Sequence, residues 1–370
     1  MAAEYRIDVH NAAGTKVAEI TDYLSLSYYK KVNDVGTLQF MLEGNHRDIS
    51  KFERNGIIIV YRKNTARGIT SWQADFYGLF LAQYRKTTQI DYFTVTAPSV
   101  DVKLGWRVNA YYANTTNFTL FSSAKAETIM KRLVRYNFDP VYASDTASGR
   151  LRTPVQDLKI RIATDLARGN TLDYQSSYAP VLKDLQALAL IAGGDFGLVA
   201  ATLPTFNLEF YPNQLGTNRT STIVFSLDNA NMNAPEYKLD WINEKTAAIV
   251  AGQGQDANRD IVTRTSPTLL DGYDVETFVD ARNVVKGNTS ALNAEGDKAL
   301  QKFVANETFD FSVLQNVSFY YGASYFLGDK VTAKYKDITT ALKITGVKVD
   351  YKKQGSLEKI DLDLSPIPFT

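Results

Sequence analysis

The chain has 370 residues, 45% of them hydrophobic and 22% charged. That is the make-up of a globular protein, and at roughly 100–200 residues per domain it makes two to four domains. A net charge of +1 sets up no overall field toward nucleic acid or an anionic membrane, and the lack of cysteine excludes disulfides, thiolate metal sites and cysteine nucleophiles.

The start, Met1 to Arg6, has no apolar signal core, and the longest apolar run, Leu185 to Ala192, is too short to span a bilayer. Residues 1–108 read as strands. Tyr5 to Val9 alternates with period two, Asn11 to Gly14 supplies a turn, and Val17 to Ile20 resumes. Leu24 to Tyr28 and Thr37 to Leu42 form a predicted hairpin across the turn Asn33-Asp34-Val35-Gly36. Ile57 to Tyr61 is a continuous apolar strand; Trp72 to Tyr84 and Asp91 to Ala97 follow.

From 109 to 235 the pattern changes. Ile129, Leu133 and Tyr136, with Met130 and Val134 beside them, predict a helix over Ala124–Tyr136, capped by Ser122 or Ser123. Ala143 to Arg150 reads as an exposed loop. Pro180 opens a second helix through Leu185 and Ala189 that stops at Gly193-Gly194. Phe196 to Val199 and Phe206 to Phe210 then predict a hairpin. Beyond 236 strands return, beginning with Ala247 to Ala251. One helix, Ala291–Asn306, interrupts them, with Leu292, Leu300, Phe303 and Val304 on its apolar face.

Two β-rich stretches near the ends echo each other. The first runs from Gly56 through Ile57 to Lys63, Tyr77-Gly78-Leu79, and Tyr84-Arg85-Lys86, to Tyr92 and Pro98. The second runs from Gly328 through Asp329 to Lys336, Thr345-Gly346-Val347, and Tyr351-Lys352-Lys353, to Ile360 and Pro366. Gly78 to Pro98 and Gly346 to Pro366 have the same separation. Two copies of one β module per chain give six from three chains, which suits a ring-building protein. The 22 Tyr and 19 Phe fit β structure and also interface area.

No motif announces catalysis. His10 and His46 lie in separate polar contexts, so neither a histidine-rich metal site nor a Ser-His-Asp triad is expected. Gly252-Gln253-Gly254 resembles a phosphate-cradling loop but lacks the third glycine and following helix of a dinucleotide site. Asp195-Phe196-Gly197 spells the kinase metal-binding triplet without the glycine-rich loop, lysine or catalytic loop that accompany it, and reads as a helix-to-strand connection. Asp271, Asp274, Glu276 and Asp280 cluster beside Tyr273 and Phe278 as a solvated segment rather than a carboxylate pair across a sugar cleft. Arg62-Lys63, Arg85-Lys86 and Lys352-Lys353 read as charged strand ends that discourage edge pairing. Trp72, Trp106 and Trp241 are expected mostly in cores. No catalytic, cofactor-binding or metal-ligating residue is singled out, and no cofactor is expected.

The order of these features resembles the tail hub (baseplate hub, tail-associated) proteins of long-tailed bacteriophages. Val35 to Phe40, Gly56 to Arg62, Arg168 to Gln175 ahead of Val181-Leu182-Lys183-Asp184-Leu185, Phe225 to Asn229, Ala248 to Gly254, and Tyr325 to Val331 carry the resemblance. It implies a mainly β fold with α+β inserts: two related tube-type β-barrel domains, 1–108 and 236–370, flank a mixed α/β middle, 109–235. The helix at about 291–306 is inserted in the second barrel.

It also implies a structural virion protein at the tail tip, assembled in the host cytoplasm, and no enzyme. Family members with a C-terminal cell-wall-cleaving extension exist; this chain reads as a hub core without one. A homotrimer would set six barrels around an axial hole, adapting the sixfold tube to a threefold tip. The partners implied are the distal tail protein, the tape-measure protein and tail-tip or fibre proteins, with DNA passing through the lumen. Rival readings are a carbohydrate- or receptor-binding module, suggested by the aromatic richness, and a cell-wall or polysaccharide hydrolase.

Overall fold

The computed structural model describes residues 3–87, 90–109, 118–140, 156–266, 274–316, 318–353 and 357–366. The first segment is all strand: β1 (Glu4–His10), β2 (Lys16–Ile20), β3 (Ser25–Lys31), β4 (Thr37–Glu43), β5 (Ile57–Asn64), β6 (Ile69–Leu79), β7 (Ala82–Thr87) and β8 (Asp91–Pro98). The middle carries β9 (Thr119–Lys125), α1 (Ala126–Phe138), β10 (Ile160–Ile162), β11 (Thr171–Ser176), α2 (Val181–Ala192), β12 (Gly194–Ala200), β13 (Phe206–Pro212), β14 (Val224–Ser226) and β15 (Met232–Asp240). The last part holds β16 (Ala247–Ala251), β17 (Ile261–Thr265), β18 (Glu276–Asp280), α3 (Thr289–Lys302), β19 (Asn306–Val313), β20 (Lys330–Tyr335), β21 (Ile338–Lys352) and β22 (Leu357–Pro366).

The predicted hairpins form where the turn chemistry puts them. β3 pairs β4 with Tyr28 opposite Leu38, and β12 pairs β13 with Phe196 opposite Phe210. The expected strand from Trp72 to Tyr84 is two strands, broken at Phe80-Leu81, because β6 pairs β5 while β7 turns away to pair β8.

The echo is real as a layout. Strands β5, β6–β7 and β8 make the same sequence of pairings as β20, β21 and β22, but the second copy keeps its middle strand whole. Its register is not shared: Pro98 pairs Thr37 of β4, whereas Pro366 pairs Leu342 within its own module. β21 takes β20 along residues 338–343 and β3 along 346–352, with a bulge between Ile344 and Gly346 near the switch, and β22 pairs it along 342–352. Through β3 and β21 the first and last parts of the chain enter one eight-stranded sheet. The expectation of two closed barrels therefore fails. Among the described residues no sheet closes on itself, and the β3–β21 pairing joins the first and last parts edge to edge.

Three cores follow. The largest draws Tyr5, Ile7, Phe40 and Val95 from the first segment and Tyr325, Val331, Val349 and Ile360 from the last into one cluster. The second packs α1 and α2 against Ile57, Ile59, Phe196 and Phe210. β5 lies between these two, with Ile58 and Val60 facing one and Ile57 and Ile59 the other, which is why it reads as unbroken apolar sequence. A third, small core joins α3 to β16 through Ala248, Val250, Leu292 and Leu300.

Two helix boundaries differ from expectation. α1 begins at Ala126 directly off strand β9, so Ser122 and Ser123 are strand residues and no side chain caps the helix. α3 starts at Thr289, capped by Asn288, and ends at Lys302; Phe303 and Val304 are outside it and exposed. The expected loop over residues 143–150 lies outside the described residues.

Candidate functional site

The motifs weighed in the sequence are dispersed. Gly252 to Gly254 forms a turn off β16 whose interior is filled by Arg259, donating to the carbonyls of Gly252 and Ala251 at 2.9 Å each. Asp274, Glu276 and Asp280 are exposed, and Asp280 is ion-paired with Arg259 and with Arg282 at 3.2 Å; Asp271 and Tyr273 lie outside the described residues. His10 contacts the Gly14 carbonyl at 3.0 Å and His46 contacts Asp22 at 3.0 Å, far apart in role. Among the described residues no group of His, Cys, Asp and Glu is placed to hold a metal.

None of the three tryptophans is buried. Trp241 is 60% and Trp106 41% exposed. Trp72 is half-buried beneath the cations of Arg6 at 5.2 Å and Lys63 at 5.7 Å. The expectation of core positions thus fails: Trp106 ends a short helical turn after β8, and Trp241 follows the last residue of β15, both beyond the reach of a core.

The reading of Arg62 as a strand-end charge is also overturned. The pleat of β5 puts Arg62 and Asn64 on the inward side with Ile58 and Val60, and Arg62 is 1% exposed. Its guanidinium donates to Tyr5 Oη at 3.0 Å, to Glu358 Oε1 at 3.0 Å and to the Tyr321 carbonyl at 2.7 Å. Glu358, on β22, also accepts from the hydroxyls of Tyr5 and Tyr320, and Asn64 donates to Tyr320 Oη at 2.9 Å. Beside it Lys30 pairs with Asp75 at 2.6 Å and donates to Tyr321 Oη at 3.0 Å. Burial pushes the phenols of Tyr320 and Tyr321 up to about 12. Burial opposes ionisation of Asp75 as well, but Lys30 and Arg62 outweigh it and hold its carboxyl below the usual range. Every member of this network belongs to the first 80 residues or to the stretch from 320 to 358, so it staples one end of the chain to the other.

The middle region is tied on by carboxylates. Asp195, 1% exposed, accepts from Asn33 at 2.8 Å and from the Leu215 amide at 2.6 Å, and pairs with Lys343 at 2.6 Å. The Asn33-to-Gly36 turn is therefore a docking point; a side chain at Gly36 would put its Cβ 2.4 Å from the Tyr29 carbonyl. Within the middle region Glu127 holds Lys131 at 2.6 Å and Arg168 at 2.8 Å. Burial works against the Glu127 charge, yet the hydrogen bonds from Arg168 and Lys131 bring its carboxyl down to about 2.

What remains open is strand edge. Five pairings in succession, all antiparallel, order the strands β7, β8, β4, β3, β21 and β22 in one row. β7 is one end of the row and all six of its residues are exposed. β22 is the other end. A cleft of about 410 Å³ separates it from the β15–β19 ribbon, lined by Leu362, Asp363 and Leu364 on one side and by Phe309, Asp310, Phe311 and Ser312 on the other, with Ala234 and Glu236.

Comparison with known proteins points one way. The family described as Siphovirus ReqiPepy6 Gp37-like protein matches residues 6–362. No curated protein matches the chain. The tail protein from Neisseria meningitidis MC58 superposes with a TM-score of 0.58 at 12% identity, covering 99% of this chain and 97% of its own. The 43 kDa tail protein of prophage MuSo2 from Shewanella oneidensis gives 0.57 at 10% identity, covering 98% of each chain. Prophage tail protein gp18 from Listeria monocytogenes EGD-e gives 0.53 at 13% identity, covering 96% of this chain and 94% of its own. At such identities the likeness is one of fold.

Proposed function

This chain belongs to the Siphovirus ReqiPepy6 Gp37-like protein family, and from that premise we propose that it is the distal hub of a phage tail. The observation that carries the reading is the end-to-end correspondence with phage tail proteins, over the whole of this chain and nearly the whole of theirs. It is a structural component of the virion rather than an enzyme, assembled in the host cytoplasm and resident at the tail tip. Three copies associate about an axis. Each brings its first (1–108) and last (236–370) segments as a pair of β modules, so six modules surround a bore, and the hub fits a sixfold tube on one side and a threefold tip on the other. The distal tail protein, the tape-measure protein and tail-tip or fibre proteins are its neighbours. DNA crosses the bore at ejection, and a net charge of +1 suits a wall that must not retain phosphates.

Mass photometry of the purified chain, with imaging of the tail, tests this. A trimer with a threefold axis and a central opening is the expected result. A chain that stays monomeric at high concentration and within the tail overturns it.

One observation favours a second role, recognition of a surface glycan: the exposed indoles of Trp106 and Trp241 are available for stacking on sugar rings. A glycan array in which wild type binds and Trp241→Ala does not would support it; an array with no wild-type signal would remove it.

A further inference from the structure

We propose that the cleft between helices α2 and α3 binds a short acidic segment of another polypeptide, its carboxylates on the lysines and an apolar side chain on the α2 wall. The proposal goes beyond the hub reading and does not depend on how many copies associate.

The cleft opens where two cores meet without merging. α2 gives Val181, Leu185 and Leu188 to the second core, and α3 gives Leu292 and Leu300 to the third. Between the helices lies a space of about 400 Å³, walled by Lys183, Gln186, Ala187 and Leu190 of α2 and by Lys298 and Lys302 of α3. Ligand pockets run to roughly 300–1,000 Å³ and favour junctions between units.

The α2 wall is one stripe of the helix. Lys183, Gln186, Ala187 and Leu190 recur at i, i+3, i+4 and i+7, apart from the core stripe of Val181, Leu185, Leu188 and Ala192. It ends on an apolar side chain that the fold leaves uncovered, Leu190 at 42% exposure. Lys298 and Lys302 stand one turn apart on α3.

The charge is one-sided. Asp184 also lines the cleft but is buried and turned inward, accepting from Tyr174, Ser176 and Asn109. Lys298 reaches Glu295 at 3.4 Å, and Lys183 donates to Gln186 Oε1 at 3.1 Å. Among the described residues neither Lys183 nor Lys302 has a carboxylate partner. Three cations thus border one cleft, and complementary charge is what it lacks. An inorganic anion would answer the lysines and leave Ala187 and Leu190 in water. A peptide with both carboxylates and an apolar residue answers both, which favours a polypeptide occupant.

Occupancy has a mechanical consequence. The unit of β16–β18 and α3 meets the middle region through polar contacts such as Gln175, which donates to the Asn283 carbonyl at 2.6 Å. A segment touching α2 and α3 together adds a further tie.

The plain alternative is that the lysines only keep a crevice between two units solvated. Fluorescence anisotropy separates the two, with a short labelled peptide alternating glutamate and leucine as the probe and the full chain as titrant. Saturable binding is expected. Lys183→Glu or Lys302→Glu, both at exposed positions, should weaken it roughly tenfold, while Lys86→Glu on β7 leaves it unchanged. Circular dichroism should stay that of wild type in all three. Exchanging the peptide's glutamates for glutamine, or its leucines for serine, should weaken binding, and bound peptide should slow amide exchange in β16–β18. No saturable binding overturns the site. So does an equal loss with Lys86→Glu, which would mean attraction by overall charge. A glutamine peptide that binds as well overturns the acidic occupant, as does inorganic phosphate or oligothymidylate held by the same lysines more tightly than the peptide. Binding that leaves exchange in β16–β18 unchanged overturns the bridge across the two helices.

Discussion

Arg62 is the costliest kind of residue to bury, and its surroundings show why it is tolerated. Its nitrogens meet Tyr5, Glu358 and the Tyr321 carbonyl, so the charge is paired rather than stranded. Breaking such a pair by removing one partner leaves the other charge in the core, at about 3–5 kcal/mol. Arg62→Met alone should destabilise by about that much in urea denaturation. Arg62→Met with Glu358→Leu should cost clearly less than the sum of the single changes, since neither charge is then orphaned. The same network sets an alkaline limit. The phenols of Tyr320 and Tyr321 have folded values raised to about 12, so their contribution is complete below the ordinary value of 10 and lost as pH rises through 12. At the acid end Glu127, lowered from 4.5 to about 2, contributes fully above 4.5 and loses that contribution as pH falls toward 2. Unfolding midpoints measured across pH should therefore fall at both ends, and Glu127→Gln should flatten the acid limb. None of this was readable beforehand. Arg62 is followed by Lys63, and adjacent charges look like a solvated strand end until the pleat and the partner strand are known.

At the scale of the element, β21 decides the topology. Fifteen residues long, it serves three strands, and the bulge near Gly346 marks where one partner gives way to another. A Cβ at Gly346 would stand 2.5 Å from Asp363 Oδ2 and 2.9 Å from Tyr29 Cε2, two side chains already hydrogen-bonded to each other. Gly346→Val should cost roughly 1–3 kcal/mol by overpacking, seen as a lowered melting temperature. Elements with strong local signals were legible: the β3–β4 and β12–β13 hairpins, the αL glycine that ends α2 at Gly193, and the buried strand β5. The missed elements carry weak ones. β9 and β11 are short, polar on one face and held by each other, and β15 is mostly exposed with Pro235 inside it. Such strands exist because a partner is present, which periodicity within a segment does not record. The same blindness explains the barrels. Each echo looks self-sufficient in sequence, and only the β3–β21 pairing shows that they complete one another.

For the molecule as a whole, the cores predict the order of opening. The first and last segments share one large core and one sheet, whereas α3 and β16–β18 close around a small cluster of their own. Amide exchange should show β1, β4 and β21 protected together up to the global limit, with β16–β18 opening first as a separate unit. Equal protection of all these strands would contradict that division. The union of the two ends also bears on how the protein is made. Strand β3 cannot gain its β21 neighbour, nor Arg62 its counter-ion on β22, until the ribosome has delivered the residues up to Glu358. Contacts so distant along the chain form slowly. During that wait the early strands stand as unclaimed edges in a crowded cell, so the nascent chain, more than the finished one, is where a chaperone would be needed.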